Sequence, residues 1–428
     1  MTRGRHARQH NHTSVGEAGQ RCVRAARVSG ASGLCPGGPR LALMAGLALC
    51  AVCASGAVGA QTSYHAQGDV LLGASPGIAL VTLQGDARLH PWLSSEALVW
   101  TRYGDQLEGD ALVMAVRARD PGGAGELKLG RFVNTTGALR PAHIDGAFGK
   151  VRLPLEFALE TFGGVPVAAD YDDRAYDWTV GGRVSHSLGD YGSAGVAYAH
   201  TRDRGVLSDE ELGFDAGASL ASWLDLNGKL AWDLVNPGIA EMHVAAVGRV
   251  DRWRFELFEW ERSPSRLLPA TSIFSVLGDQ PSRRAGLSTQ WRAAPRLDLA
   301  ATTAVHLVGS DPAEALAVRA VLRLDDDGEN SVSLEARRDG GDGAWTGTRA
   351  AGHFAVTQRV SLGTEAEIAW ADEPGGRGVV WPWLSASCGW RFAEGWEVGA
   401  GAQISATPTA EARLDGLVRL TAVTGGAP

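Results

Sequence analysis

From residue 64 onward, apolar and polar side chains alternate in segments of about ten residues, separated by clusters of Gly, Asp, Pro and Asn. Near 81–89, Val81, Leu83, Gly85, Ala87 and Leu89 fall on one side while Thr82, Gln84, Asp86 and Arg88 fall on the other. The pattern is sharper near 224–233, where Leu224, Leu226, Gly228, Leu230 and Trp232 alternate with Asp225, Asn227, Lys229 and Asp233. It returns near 316–324, 331–337 and 362–370. Period two means strands with one apolar face, and no helix-period segment interrupts them, so a parallel sheet with crossover helices is excluded.

The connections carry a second pattern. Tight turns at 90–92, 153–155, 221–223, 251–253, 293–296, 357–359 and 394–396 fall at every second connection. Long ones at 134–142, 163–174, 263–280 and 371–375 fall between them. Short turns on one side and longer loops on the other are the mark of an antiparallel transmembrane barrel. The fold class expected is therefore all-β, an up-and-down barrel of about 22 strands (about 20 if a hairpin is lost) with no plug domain. The first strand, near 65–74, is the weakest and is needed for an even count.

Aromatic residues track the same parity. Trp92, Trp223, Trp253, Trp291 and Trp396 sit beside the short turns. Trp100, Tyr103, Trp232, Trp260, Trp370, Trp381 and Trp383 sit near the far ends, as two interfacial girdles require.

The N-terminal region sets the compartment. An apolar run at 41–60, ending in small residues, follows a leader rich in Arg with Glu17 as its lone acid. This is a secretory signal layout, and residues 1–60 are expected to be removed, leaving 61–428 as the barrel. Only Cys388 lies in the mature part, so no disulfide framework is available. A formal net charge of −8 argues against nucleic acid as a partner.

Motifs for chemistry are sparse. The mature chain has no CxxCH, HExxH, GxSxG or P-loop spacing, so neither a cofactor nor an enzymatic activity is expected. Asp170, Asp172 and Asp173, and again Asp325, Asp326, Asp327 and Glu329, read as solvated loop and turn acids rather than calcium ligands. His143 and Asp145 share a strand face without an obvious nucleophile. The strand phases instead place Arg254, Glu256, Arg319, Arg323, Glu335, Arg337, Glu365 and Glu367 toward a water-filled interior. The 263–280 connection is oddly apolar for a loop, and Arg266, Leu267, Leu268, Ile273 and Phe274 make it the candidate constriction.

On these segments, and on LRPAHIDGAFGK (139–150), FGGVPV (162–167) and RSPSRLLPATSIFSVLGD (262–279), the chain resembles porin-like outer-membrane β-barrels of G+C-rich Gram-negative bacteria. Its C-terminal stretch, RLDGLVRLTAVTGGAP, departs from the terminal aromatic usual in porins. The resemblance implies an outer-membrane location, with outer-membrane lipid, lipopolysaccharide and the barrel-assembly machinery as partners. Mixed-sign charge inside implies passive diffusion of small polar solutes. The alternative is a structural sheath around a periplasmic or lumen-inserted protein, such as an electron-transfer cytochrome or a lipoprotein. An outer-membrane enzyme is the third reading.

Overall fold

The computed structural model describes residues 63–73, 78–103, 107–167, 176–264, 266, 281–308, 311–341, 343–375, 378–406 and 412–426. The leader 1–60, the acidic stretch 170–173 and most of 263–280 lie outside the described residues.

Twenty-two strands follow one another in chain order: β1 Ser63–Gly73, β2 Ile78–His90, β3 Leu93–Tyr103, β4 Leu107–Arg119, β5 Gly125–Asn134, β6 Ala142–Arg152, β7 Phe157–Pro166, β8 Tyr176–Ser187, β9 Gly192–Asp203, β10 Val206–Ala221 and β11 Leu224–Asp233. The second half comprises β12 Gly238–Val250, β13 Trp253–Arg262, β14 Ser282–Ala294, β15 Leu297–Val308, β16 Asp311–Arg323, β17 Ser331–Asp339, β18 Trp345–Thr357, β19 Val360–Gly375, β20 Gly378–Ala393, β21 Trp396–Ser405 and β22 Arg413–Gly426. One 3-10 turn, Gly189–Tyr191, interrupts them. Each strand pairs antiparallel with its chain neighbours, and β22 returns to β1, so the sheet closes into a 22-stranded barrel. Among the described residues no helix is long and apolar enough to cross a membrane.

Closure depends on the strand that reads weakest. β1 pairs with β2 along its whole length and with β22 from Tyr64 opposite Gly426 to Gly73 opposite Leu417. On the inner face Asp69 accepts from Arg419 Nε at 2.9 Å and from Thr421 Oγ1 at 2.7 Å. Partners on both sides leave β1 no free edge, which is why a segment with a poor pattern of its own still forms a strand.

The outer face is apolar, as the wall of a transmembrane barrel requires. Leu257 and Leu334, for example, are 62% and 60% exposed. At the short-turn end the outer face carries Trp223, Trp253, Trp291, Trp390 and Trp396, and the Trp253 and Trp291 rings stack 5.1 Å apart. At the other end Tyr103, Trp178 and Trp370 face outward. Trp381 and Trp383, by contrast, share register rows with Ala369 and Glu367, Trp260 shares one with Arg284, and Trp100 shares one with Thr82 and Asp69, so these four face inward. Residue parity, not height along the strand, decides the face.

One expected loop is strand. Residues 371–375 belong to β19, with a register shift between Trp370 and Gly375. The composition reads as a turn, yet the Asp372 amide donates to the Ala344 carbonyl at 2.9 Å and extends the sheet.

Candidate functional site

The described residues give the barrel interior one distinctive feature, the β5–β6 connection 135–141. It folds inward across β8 and β10. Thr136, Ala138 and Leu139 are buried, and the tip is held by a turn in which the Leu139 amide donates to the Thr136 carbonyl at 3.2 Å. Thr136 Oγ1 donates to Asn134 Oδ1 at 3.1 Å. Gly137 sits at φ +58°, where a Cβ would come within 2.6 Å of Asp215 Oδ1 and 2.7 Å of Arg183 Cδ. Only glycine meets both demands. Leu139 then packs on Ala115, Phe132, Ile144, Phe162 and Ala197, an apolar cluster on the inside of the wall.

Charge holds the loop down. The Arg140 amide donates to Glu211 Oε1 at 2.8 Å, Nη2 donates to Asp209 Oδ1 at 2.8 Å, and Nε donates to Glu211 Oε2. Nη1 reaches the Arg266 carbonyl at 3.2 Å. Burial works against the Arg140 charge, but the carboxylates of Asp209 and Glu211 outweigh it and hold the guanidinium's pKa above its usual value. Deeper, Arg183 forks onto Asp215 at 3.0 and 2.5 Å and reaches Glu160 at 3.5 Å, while Lys150 pairs with Glu160 at 2.8 Å. Arg140 thus joins the loop to carboxylates about 70 residues later in sequence, Arg183 joins β8 to β10 beneath it, and Lys150 ties the neighbouring strands β6 and β7.

The wall from β16 to β19 carries no such cover among the described residues. Arg319, Glu335, Arg349 and Glu367 form one register row across β16, β17, β18 and β19, alternating in sign. The ion pairs run diagonally between rows: Arg337 with Glu367, and Arg349 with Glu365. The Arg337 guanidinium also lies over the Trp345 ring, 4.6 Å from its centroid. Arg319 and Glu335 face each other without an ion-pair contact among the described residues.

Of the eight residues assigned to the interior from sequence, Arg319, Glu335 and Glu367 share this row, Arg337 and Glu365 lie on the rows to either side, and Arg323 pairs with Asp298 nearer the short-turn end. Arg254 and Glu256 lie apart on β13, paired with each other at 2.6 Å. Of the candidate constriction, Arg266 donates to Ser263 Oγ at 2.9 Å and to the Asn236 carbonyl at 3.1 Å, and Leu267, Leu268, Ile273 and Phe274 lie outside the described residues. Sequence reasoning missed Arg140, Arg183, Asp209, Glu211 and Asp215. The available signal was Gly137 with two threonines before it and an Arg-Pro after it, a loop built to turn sharply and then to be anchored.

The chain is similar in structure to the ferric enterobactin receptor PfeA of Pseudomonas aeruginosa, with a TM-score of 0.54 and 10% identity over 86% of this chain and 81% of that one. It is similar to the siderophore receptor PirA of the same organism, with a TM-score of 0.50 and 12% identity over 86% and 80% of the two chains. OccK5 (OpdH) of Pseudomonas aeruginosa aligns over 86% of this chain and 98% of that chain at 7% identity and a TM-score of 0.39. The two receptor similarities establish the fold, a large closed antiparallel barrel. No protein-family model matches the sequence, and no curated protein matches it.

Proposed function

We propose that the protein is an outer-membrane channel for small polar solutes, its passage bounded on one side by the inward loop 135–141 and on the other by the charged wall of β16–β19. The observation that carries this reading is the alternating row Arg319, Glu335, Arg349 and Glu367 on the inner face. Charged side chains directed inward across four strands need water, and a barrel this wide holds it unless something fills the interior. The apolar outer face supplies the complementary condition, contact with lipid. Interspersed opposite charges stabilise neither cations nor anions over a long path, so passage is passive with weak ion preference.

Purified protein in planar lipid bilayers tests the proposal. Stepwise potassium chloride conductance of near-equal cation and anion permeability is the expected result, and a barrel that inserts but stays electrically silent sinks it.

A further inference from the structure

The wall of the barrel has a seam. The ladder between β4 and β5 runs only from Arg119 opposite Glu126 to Met114 opposite Arg131. Above that point β4 continues to Leu107 paired with β3 alone, and β5 continues to Asn134 paired with β6 alone. The parting is built in. β4 carries an extra residue, Leu112, in its register with β3, and Gly130 takes φ +120°, where a Cβ would lie 2.2 Å from the Met114 carbonyl oxygen.

The seam lies at the level of lipid, because Leu112 and Val133 beside it, and Tyr103 and Leu107 above it, expose apolar side chains on the outer face. Open sheet edges do not occur facing hydrocarbon, since their N–H and C=O groups have no water to bond; such backbone is tolerated where it lines a cavity. Here side chains close the edge. Arg131 Nη1 donates to the Ala111 carbonyl at 3.0 Å and to Asp110 Oδ1 at 2.8 Å, and His143 Nε2 meets the Leu112 carbonyl at 2.7 Å. Arg131 also forks onto Asp145 at 2.7 and 2.8 Å. By strand parity Arg131, His143 and Asp145 are on the outward face, a costly place for charge unless it does a specific job.

Two apolar surfaces meet at this polar latch. Inside is the cluster of Phe132, Ile144, Phe162 and Leu139. Outside, a groove of about 920 Å³ runs past Ala66, Gly85 and Ala97 to Met114, Leu129 and Gly130, where the ladder parts. We propose that the β4–β5 seam is a lateral portal through which a single-chain amphiphile exchanges between the lumen and the surrounding leaflet. The hydrocarbon tail follows the outer groove and reaches the Phe132 cluster when the Arg131 latch opens. Asp110 and Asp145 outnumber Arg131 at the latch, so the head group that fits is cationic or neutral rather than acidic.

The test is a Leu112→Cys, Val133→Cys pair, both exposed positions two residues beyond the last rung of the ladder and on its outer face, in a Cys388→Ser background. The probe is a fluorophore-tagged dodecyltrimethylammonium, whose transfer between leaflets of proteoliposomes is followed beside potassium chloride conductance. Closing the disulfide is expected to cut transfer about tenfold relative to the reduced protein and to leave conductance unchanged, because it zips the edge but not the axial pore. Transfer unaffected by the disulfide overturns the portal, and so does transfer falling together with conductance, which would mean that the probe uses the axial route. If the pair does not oxidise, Arg131→Ala with His143→Ala removes the latch. Faster transfer at constant conductance supports the portal, and an unchanged rate overturns it. A barrel that is silent to ions yet transfers the probe, with transfer falling when the Leu112→Cys, Val133→Cys disulfide closes, defeats the channel proposal and leaves the portal standing.

Discussion

The covered wall, β5 to β10, and the bare wall, β16 to β19, use the same ingredients to opposite ends. On the covered wall Arg140 and Arg183 meet Glu211, Asp209, Asp215 and Glu160, and most of these groups are shielded from solvent beneath or beside the loop. On the bare wall Arg337 and Arg349 meet Glu367 and Glu365 with the guanidinium groups still substantially exposed. The difference lies in water. A buried pair cannot lose one partner without stranding the other, so it fixes a loop in place. An exposed pair exchanges partners with solvent and holds little structure, which under the proposed channel reading leaves it free to meet a passing solute.

Removing the cover attacks this contrast most directly. Deleting 136–139 is expected to raise single-channel conductance about twofold, because the loop occupies lumen that water would otherwise fill. An unchanged step size breaks the distinction between the two walls. Next in size is Arg140→Ala, which leaves Glu211 and Asp209 without their cation. It is expected to free the loop by about 3 kcal/mol, the low end for a broken buried pair because Arg140 keeps some exposure. Hydrogen exchange at the Leu139 amide reads the loss. Arg349→Ala, the same truncation at the more exposed guanidinium of the bare wall, is expected to cost under about 1 kcal/mol by urea unfolding, since water takes its place beside Glu365. Equal costs for the two arginines would erase the comparison.

Gly137→Val places a β-branched side chain in the left-handed region against Asp215 and Arg183. The expected cost is about 1–3 kcal/mol, confined to the loop and visible as new protease sensitivity near 135–141. Arg319→Glu on the bare wall should leave stability alone and shift permeability toward cations by about twofold, measured as a reversal potential in a salt gradient.

The smallest effect is a pH dependence at the β16–β17 turn. Desolvation pushes the Asp325 carboxyl up, but hydrogen bonds from the Asn330 side chain and from backbone amides outweigh it and hold its pKa below the ordinary 3.8. A depressed carboxylate contributes above its unfolded pKa, and the contribution is lost as pH falls through the folded value. Exchange protection of the Asn330 amide should therefore be constant above about pH 4 and fade below it, while Asp325→Asn flattens the profile.

Much of the fold was legible because strand alternation and turn parity are local. Leu224 to Trp232 and Leu316 to Leu322 place their faces correctly with no knowledge of neighbours. The same locality explains the misreadings. Residues 371–375 look like a turn by composition and are strand because Ala344 offers a carbonyl to Asp372. Trp100, Trp260, Trp381 and Trp383 look like girdle residues by height and face inward by parity. The candidate site divides in the same way. Arg319, Glu335, Arg337, Glu365 and Glu367 were visible as the polar members of alternating strands. Arg140 was not, because its partners Asp209 and Glu211 lie about 70 residues later and nothing local links them.

By itself, the sequence determined the strand content, the apolar outer face and the inward direction of the charged rows, since each follows from side chains two residues apart on an extended chain. Only the tertiary structure decided that β1 closes against β22, that the 135–141 loop turns into the lumen, and that β4 and β5 part above Met114. Each of these depends on hydrogen bonds and ion pairs between residues brought together only when the barrel closes, and no period along the chain records them.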